Sequence, residues 1–151
     1  MINVHALSCV TLISLAGIAY AADTPRLTIG EVEYLGSQSD DGTVDSFLGV
    51  PFAAPPIEDL RWRAAQPYIA TAGQQHATSF APACYQGDHI TRWYQGVISG
   101  FGGDPVSIVA PEVSEDCLYL NIWRPSSVAQ TTPLPIIIYV HGGSNRGGWS
   151  R

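Results

Sequence analysis

The sequence predicts an α/β fold: an antiparallel hairpin near the N-terminus, then the first strands of a mixed central sheet, with the domain left incomplete. Three observations carry that expectation. Leu27 to Leu35 alternates apolar with polar residues and is followed by turn-forming residues. Ile136 to Val140 is a continuous run of β-branched residues and one tyrosine, the pattern of a strand covered on both faces. That run leads directly into His141-Gly142-Gly143, where glycine frees the backbone to turn its N–H groups toward one point.

The first 22 residues contain no Asp, Glu, Lys or Arg, and Ala6 to Ile18 is apolar or small. Such a stretch is short of the roughly 20 residues a bilayer-spanning helix needs. Ala19-Tyr20-Ala21 is a small-x-small site and polar Asp23-Thr24-Pro25 follows it. Together these predict a signal peptide over 1–21, cleaved after Ala21, and a secreted or periplasmic protein with no stable membrane association after cleavage. The only positive groups at the extreme N-terminus are the amino group and His5. An uncleaved anchor or a buried N-terminal helix therefore stays open as the alternative.

Residues 27–35 are expected to form one half-buried strand. Ser37 to Thr43 carries turn chemistry, with Asp41-Gly42 suited to a tight reversal, and Val44 to Val50 is the returning strand. Pro51, Pro55 and Pro56 stop it, and Phe52 to Pro67 reads as an irregular segment packed on the surface. Thr71 to Pro111 has poor periodicity and reads as loop with at most a short helical turn. A stretch of that kind is uncommon in a compact domain unless something ties it down. Two strands follow, Leu118 to Trp123 and Ile136 to Val140.

Composition narrows the possible partners. A content of 46% hydrophobic and 13% charged residues is that of a globular chain. All 7 basic residues are arginines, scattered among 13 acids, for a net charge of -6. Nucleic acid needs a basic stripe, which is lacking here, and anionic membrane surfaces are disfavoured by the same sign. With Cys9 removed in the signal peptide, Cys84 and Cys117 remain in an oxidising compartment, where pairing is expected. Two separate buried thiols are the alternative. His76, His89 and His141 are dispersed and no Cys-x-x-Cys occurs, so neither a metal nor another cofactor is implied.

The loop His141-Gly142-Gly143-Ser144-Asn145-Arg146-Gly147-Gly148 carries the chemistry. A strand running into His-Gly-Gly is the pattern of the oxyanion-hole loop in α/β-hydrolase esterases and lipases, where main-chain amides stabilise a tetrahedral acyl intermediate. Structural turns use glycine as well, and the loop by itself supports either reading. It is not a phosphate loop, since no Gly-Lys-Ser/Thr follows and the chain has no lysine. Gly142-Gly143-Ser144-Asn145-Arg146 fails as a nucleophile elbow, because Arg146 stands where glycine is required.

Upstream, Ser114-Glu115-Asp116-Cys117-Leu118-Tyr119-Leu120-Asn121-Ile122-Trp123 resembles the Glu-Asp-Cys-Leu-x-Leu-Asn signature of type B carboxylesterases and cholinesterases. Phe47-Leu48-Gly49-Val50-Pro51-Phe52-Ala53-Ala54-Pro55-Pro56 followed by Leu60-Arg61-Trp62 resembles the other N-terminal hallmark of that family. The resemblance identifies residues 22–151 as the N-terminal portion of a type B carboxylesterase domain, truncated, with an α/β-hydrolase fold. It implies a disulfide between Cys84 and Cys117 and an ion pair between Arg61 and Glu115. It puts the oxyanion donors at the amides of Gly143 and Ser144, with Gly142 giving conformational freedom. Ser144 departs from the family's usual glycine, and its side chain narrows the space for an acyl group. His141 is structural in the family and is not read as the catalytic base.

The resemblance also implies a serine hydrolase acting on small carboxylic esters. The nucleophile, the Asp or Glu and the His follow the oxyanion loop in α/β-hydrolases, so the fragment is expected to contain no triad and to be inactive and aggregation-prone by itself. A cholinesterase-like adhesion or binding protein without the nucleophile is the alternative from another class, and a small secreted β-rich module is a third. Trp93, Tyr94 and Phe101 are candidates to line a gorge or simply to pack. Oligomeric state is left open.

Overall fold

The computed structural model describes residues 24–103, 112–129, 131–143 and 147–150. Residues 1–21, the expected signal peptide, lie outside them. The elements in chain order are β1 (Arg26–Ile29), β2 (Val32–Leu35), β3 (Ser37–Gln38), β4 (Val44–Pro51), a single 3-10 turn (Glu58–Leu60), β5 (Gly73–His76), β6 (Ala83–Cys84), α1 (Asp88–Gly100), β7 (Val113–Ser114) and β8 (Tyr119–Pro125). They form three small sheets with orders β1-β2-β5, β3-β4-β8 and β6-β7. The β2–β5 and β6–β7 pairs are parallel and the other pairs antiparallel, so the content is mixed α/β.

The single strand expected over 27–35 is instead a hairpin. Ile29 pairs with Val32, and Gly30 takes the first of the two loop positions at φ +61°, where type II′ hairpins place glycine. Apolar residues alternate at 27 and 29 and again at 32 and 34, and the one-residue phase shift at Gly30-Glu31 is the trace of the reversal. The return at Asp41-Gly42 joins β3 to β4, with Ser37 opposite Ser46. Asp41 Oδ1 accepts bonds from the Ser39 and Thr43 hydroxyls and the Thr43 amide, which hold its carboxyl down to about 2.

Three elements appear in the segment read as loop: β5, the two-residue β6 and α1. In α1, apolar residues at 90, 93, 94, 97, 98 and 101 do recur at helical spacing. Gly96 and Gly100 dilute that pattern, and the N-cap Gly87 supplies no side-chain cap, so the helix lacked a start signal. The β5 sequence, Gly-Gln-Gln-His, has no apolar face. Its pairing with β2 rests on backbone bonds and on Gln74, whose amide donates to Glu33 at 2.6 Å.

The main hydrophobic cluster is Val32, Tyr34, Phe47, Val50 and Ala77, with Leu27 and Ile122 packed against it. Beside it lies Asp45, 4% exposed. Arg124 donates to Asp45 Oδ2 through Nε and Nη2 at 3.1 and 3.0 Å, Ser126 donates to Oδ1 at 2.6 Å, and Gln38 donates to Oδ1 at 3.3 Å. The guanidinium also lies 5.4 Å from the centre of the Phe47 ring. Burial by itself would raise the Asp45 pKa, but the donors from Ser126, Arg124 and Gln38 and the arginine charge outweigh it and hold the carboxyl below its ordinary value.

The buried central strand expected over 136–140 is not formed. Residues Ile136 to Val140 belong to no strand, and each is between 82% and 94% exposed. A β-branched run becomes a strand only when neighbouring strands satisfy its backbone and cover its faces, and no described residue does so. Among the described residues, no helix is long and apolar enough to cross a membrane.

The Asp45–Arg124 pair has a measurable consequence. Arg124→Met leaves a buried carboxylate without its counter-charge and is expected to cost about 3 kcal/mol in urea denaturation. Because the folded Asp45 pKa is depressed, its contribution is present above the unfolded value of 3.8 and is lost as pH falls through the lower folded value. Arg124→Met should therefore lose less stability than wild type between about pH 5 and about pH 3.

Candidate functional site

Four ties organise the surroundings of the glycine-rich segment, and two of them, from Asn121 and Gln86, reach it directly. The first is covalent: the Cys84 and Cys117 sulfurs are 2.01 Å apart, joining β6 to the residues just before β8 across a separation of 33. Parallel pairing of β6 with β7 runs alongside, Cys84 opposite Ser114. The second tie is Arg61 Nε to Glu115 Oε1 at 2.7 Å. Its side chains are 54% and 31% exposed, so solvent screening limits it to about 0–1 kcal/mol. It fixes direction more than stability, bringing the end of the proline-rich arm against the signature. Next along the chain, Tyr119 is pushed up to about 12, by burial first and then by its hydrogen bond to the Asp116 carboxylate.

The third tie begins at a bulge. Phe47 faces Ile122 but Val50 faces Leu120, so β4 carries one extra residue opposite Asn121. The Asn121 side chain occupies the irregularity. Its Oδ1 accepts from the Gly49 N–H at 2.9 Å, and its Nδ2 donates to the carbonyl and hydroxyl oxygens of Ser150 at 2.5 and 3.2 Å. One carboxamide thus satisfies the bulge and holds the chain beyond the glycines.

The fourth tie is Gln86. Its Oε1 accepts from the Gly148 N–H at 2.8 Å and its Nε2 donates to the Gly148 carbonyl at 3.3 Å. Trp149 packs edge-on to Tyr94 of α1 at 6.1 Å, and Tyr94 does the same with Trp93 at 5.0 Å. Of the aromatics proposed to line a gorge, Tyr94 meets the glycine segment through Trp149, Trp93 is 61% exposed and Phe101 88% exposed.

Within the loop, Gly143 adopts φ +144° and Gly148 φ +133°. A Cβ on Gly143 would meet the Gly147 carbonyl oxygen, and one on Gly148 would meet the Gly142 carbonyl and the His141 ring. The two strands of the loop neck therefore touch backbone to backbone, which only glycine permits. His141 Nδ1 lies 3.0 Å from the Gly142 carbonyl oxygen. Ser144 lies outside the described residues. Among those described, no group of three or more His, Cys, Asp or Glu side chains is placed to hold a metal.

Sequence reading named the disulfide, the ion pair and the loop, but assigned nothing to Gln86 or Asn121. Asn121 lies within the Glu115 to Trp123 signature, in a stretch whose composition predicts only a strand. A signal was available: a polar amide amid Leu120 and Ile122. Gln86 gave none, since its partner is 62 residues away.

A sequence model described as the carboxylesterase family matches residues 24–151. The chain is similar to fumonisin B1 esterase of Sphingopyxis macrogoltabida, 37% identical over 131 residues that make up 87% of this chain and 21% of that protein. It is similar to lipase 2 of Geotrichum candidum, 34% identical over 143 residues, 87% of this chain and 25% of that one. Among solved structures it is similar to EstA of Aspergillus niger (TM-score 0.55, 33% identity, 74% of this chain and 18% of that chain). It is also similar to a thermophilic PNB esterase (TM-score 0.64, 26% identity, 83% and 23%). The chain spans about a fifth to a quarter of the length of these relatives.

The disulfide holds β6, and with it Gln86, more than the modest packing of that segment does. Replacing Cys84 and Cys117 together by serine is expected to cost roughly 3 to 4 kcal/mol by loop entropy, read as a lowered denaturation midpoint. Wild type in reductant should show the same loss.

Proposed function

The chain belongs to the carboxylesterase family, and from that premise we propose that it is the N-terminal portion of a secreted serine carboxylic-ester hydrolase whose loop at His141 to Ser144 supplies two oxyanion donors. The observation that carries this reading is the glycine loop neck: Gly143 at φ +144° abuts Gly147, in a segment braced from outside by side-chain amides. A backbone held this way is pre-organised, and pre-organised amides stabilise developing charge without reorganising during the reaction.

In this mechanism a serine attacks the ester carbonyl and a histidine takes its proton. The carbonyl oxygen gains negative charge in the tetrahedral intermediate, where the Gly143 and Ser144 amides donate to it. The intermediate collapses to an acyl-enzyme with release of the alcohol, and water then releases the acid. Serine, histidine and the carboxylate that orients it belong, on this reading, to the remaining length of the full protein. Residues 1–21 direct export and are removed after Ala21, which would make Ala22 the first residue of the secreted protein by mass spectrometry. Small esters are the substrate class, and neither metal nor cofactor takes part.

The full-length protein should hydrolyse p-nitrophenyl acetate or butyrate and incorporate one fluorophosphonate per molecule on serine. The segment 22–151 expressed alone should do neither. A full-length protein inert toward a panel of esters, or one labelled within 22–151, would refute this reading. A methyl at Gly143 would collide with the Gly147 carbonyl and turn the amide away; since losing one oxyanion donor costs about 2.7 to 4 kcal/mol of transition-state stabilisation elsewhere, Gly143→Ala should lower kcat by about a hundredfold or more.

A further inference from the structure

Resting on the oxyanion reading of the loop, we propose that Gln86 is its positioning residue: the carboxamide grips the N–H and C=O of Gly148 and thereby sets the direction of the Gly143 amide. A primary carboxamide presents an acceptor and a donor side by side, so it meets both polar groups of one residue as a neighbouring strand would. Gly148 is the residue for which this matters. A Cβ at Gly148 would run into the Gly142 carbonyl and the His141 ring, and one at Gly143 into the Gly147 carbonyl, so the two arms lie close together. With only the His141 ring beside these backbone approaches, a displacement at Gly148 passes to the residues that carry the donor.

Gln86 is itself well placed to act as a fixed point. It stands two residues after Cys84, whose sulfur is bonded to Cys117 and whose backbone pairs with Ser114. The glutamine is half-buried and belongs neither to the cluster around Phe47 nor to the β4–β8 ladder. Its removal should therefore loosen the loop and leave the rest of the fold as it was. A residue that merely contributed packing would do the reverse.

The test compares wild type with Gln86→Met, which keeps length and removes both bonds, and with Gln86→Glu, which keeps the acceptor for the Gly148 N–H and loses the donor. It is run on the full-length protein with the disulfide intact. For Gln86→Met, exchange of the Gly148 amide with deuterium should quicken by about tenfold or more while amides of β4 and β8 stay protected. Its kcat for a p-nitrophenyl ester should fall by about tenfold to a hundredfold with KM within about twofold. Affinity for a trifluoromethyl ketone, which mimics the tetrahedral intermediate, should weaken by the same factor. Gln86→Glu should lie between the two in all three measurements.

Wild-type exchange at Gly148 together with wild-type kcat in Gln86→Met would overturn the proposal. So would an activity loss matched by quickened exchange throughout β4 and β8, the mark of a structural role. If the wild-type protein hydrolyses no ester, the oxyanion reading has failed, and Gly148 exchange alone still decides whether Gln86 holds the loop.

Discussion

A covalent bond between Cys84 and Cys117 does here what a hydrophobic core does elsewhere in the chain. Buried apolar side chains gather under β2, β4 and β5, while among described residues the stretch from β6 through α1 contributes only Ala83 to the buried set. A segment that leaves so much of its apolar surface exposed is not held chiefly by the hydrophobic effect. Its position is instead dictated by the crosslink, by two backbone pairings of β6 with β7, and by polar side chains reaching out of it. Gln86 and Tyr94 lie in that stretch, and both meet the end of the glycine segment. Where the site stands therefore follows from where the sulfurs are joined.

Polar ties of this sort differ from packing in what they specify. A methyl group against another tolerates sliding; a carboxamide bonded at both ends does not. Asn121 shows the economy of the device, since the bulge in β4 orphans the Gly49 N–H, and the group that satisfies it also fixes Ser150. Asp45 works similarly at the other end of β8, drawing β3, β4 and β8 together through three donors, and its burial is tolerable only because all of them are present.

Much of this could be read from the sequence because the informative residues act locally or as short motifs. Asp41-Gly42 favours a tight reversal through local backbone preference, and the run from Glu115 to Trp123 together with the proline-rich arm pointed to the family, which in turn implied Cys84 with Cys117 and Arg61 with Glu115. What escaped depended on context. Gly30 turned an apparently continuous strand, and its only trace was a one-residue shift in the phase of the alternation. Gln74 pairs through its backbone and so left no apolar trace. Ile136 to Val140 has strand composition and yet stands exposed, since strand formation is a property of a sheet and not of five residues. Gln86 was invisible for a related reason: a partner 62 residues distant is fixed by the fold as a whole.

The braces of the glycine loop share one further property, which concerns time. Gln86, Tyr94 and Asn121 all precede the residues they hold, as do both halves of the disulfide. During synthesis the anchors therefore emerge before the loop, and the crosslink involves no residue that follows it. A loop whose supports lay downstream would have to wait, exposed, for the polymer to catch up. This one can be seated as it appears, so its geometry need not be searched for again when later parts of a protein arrive.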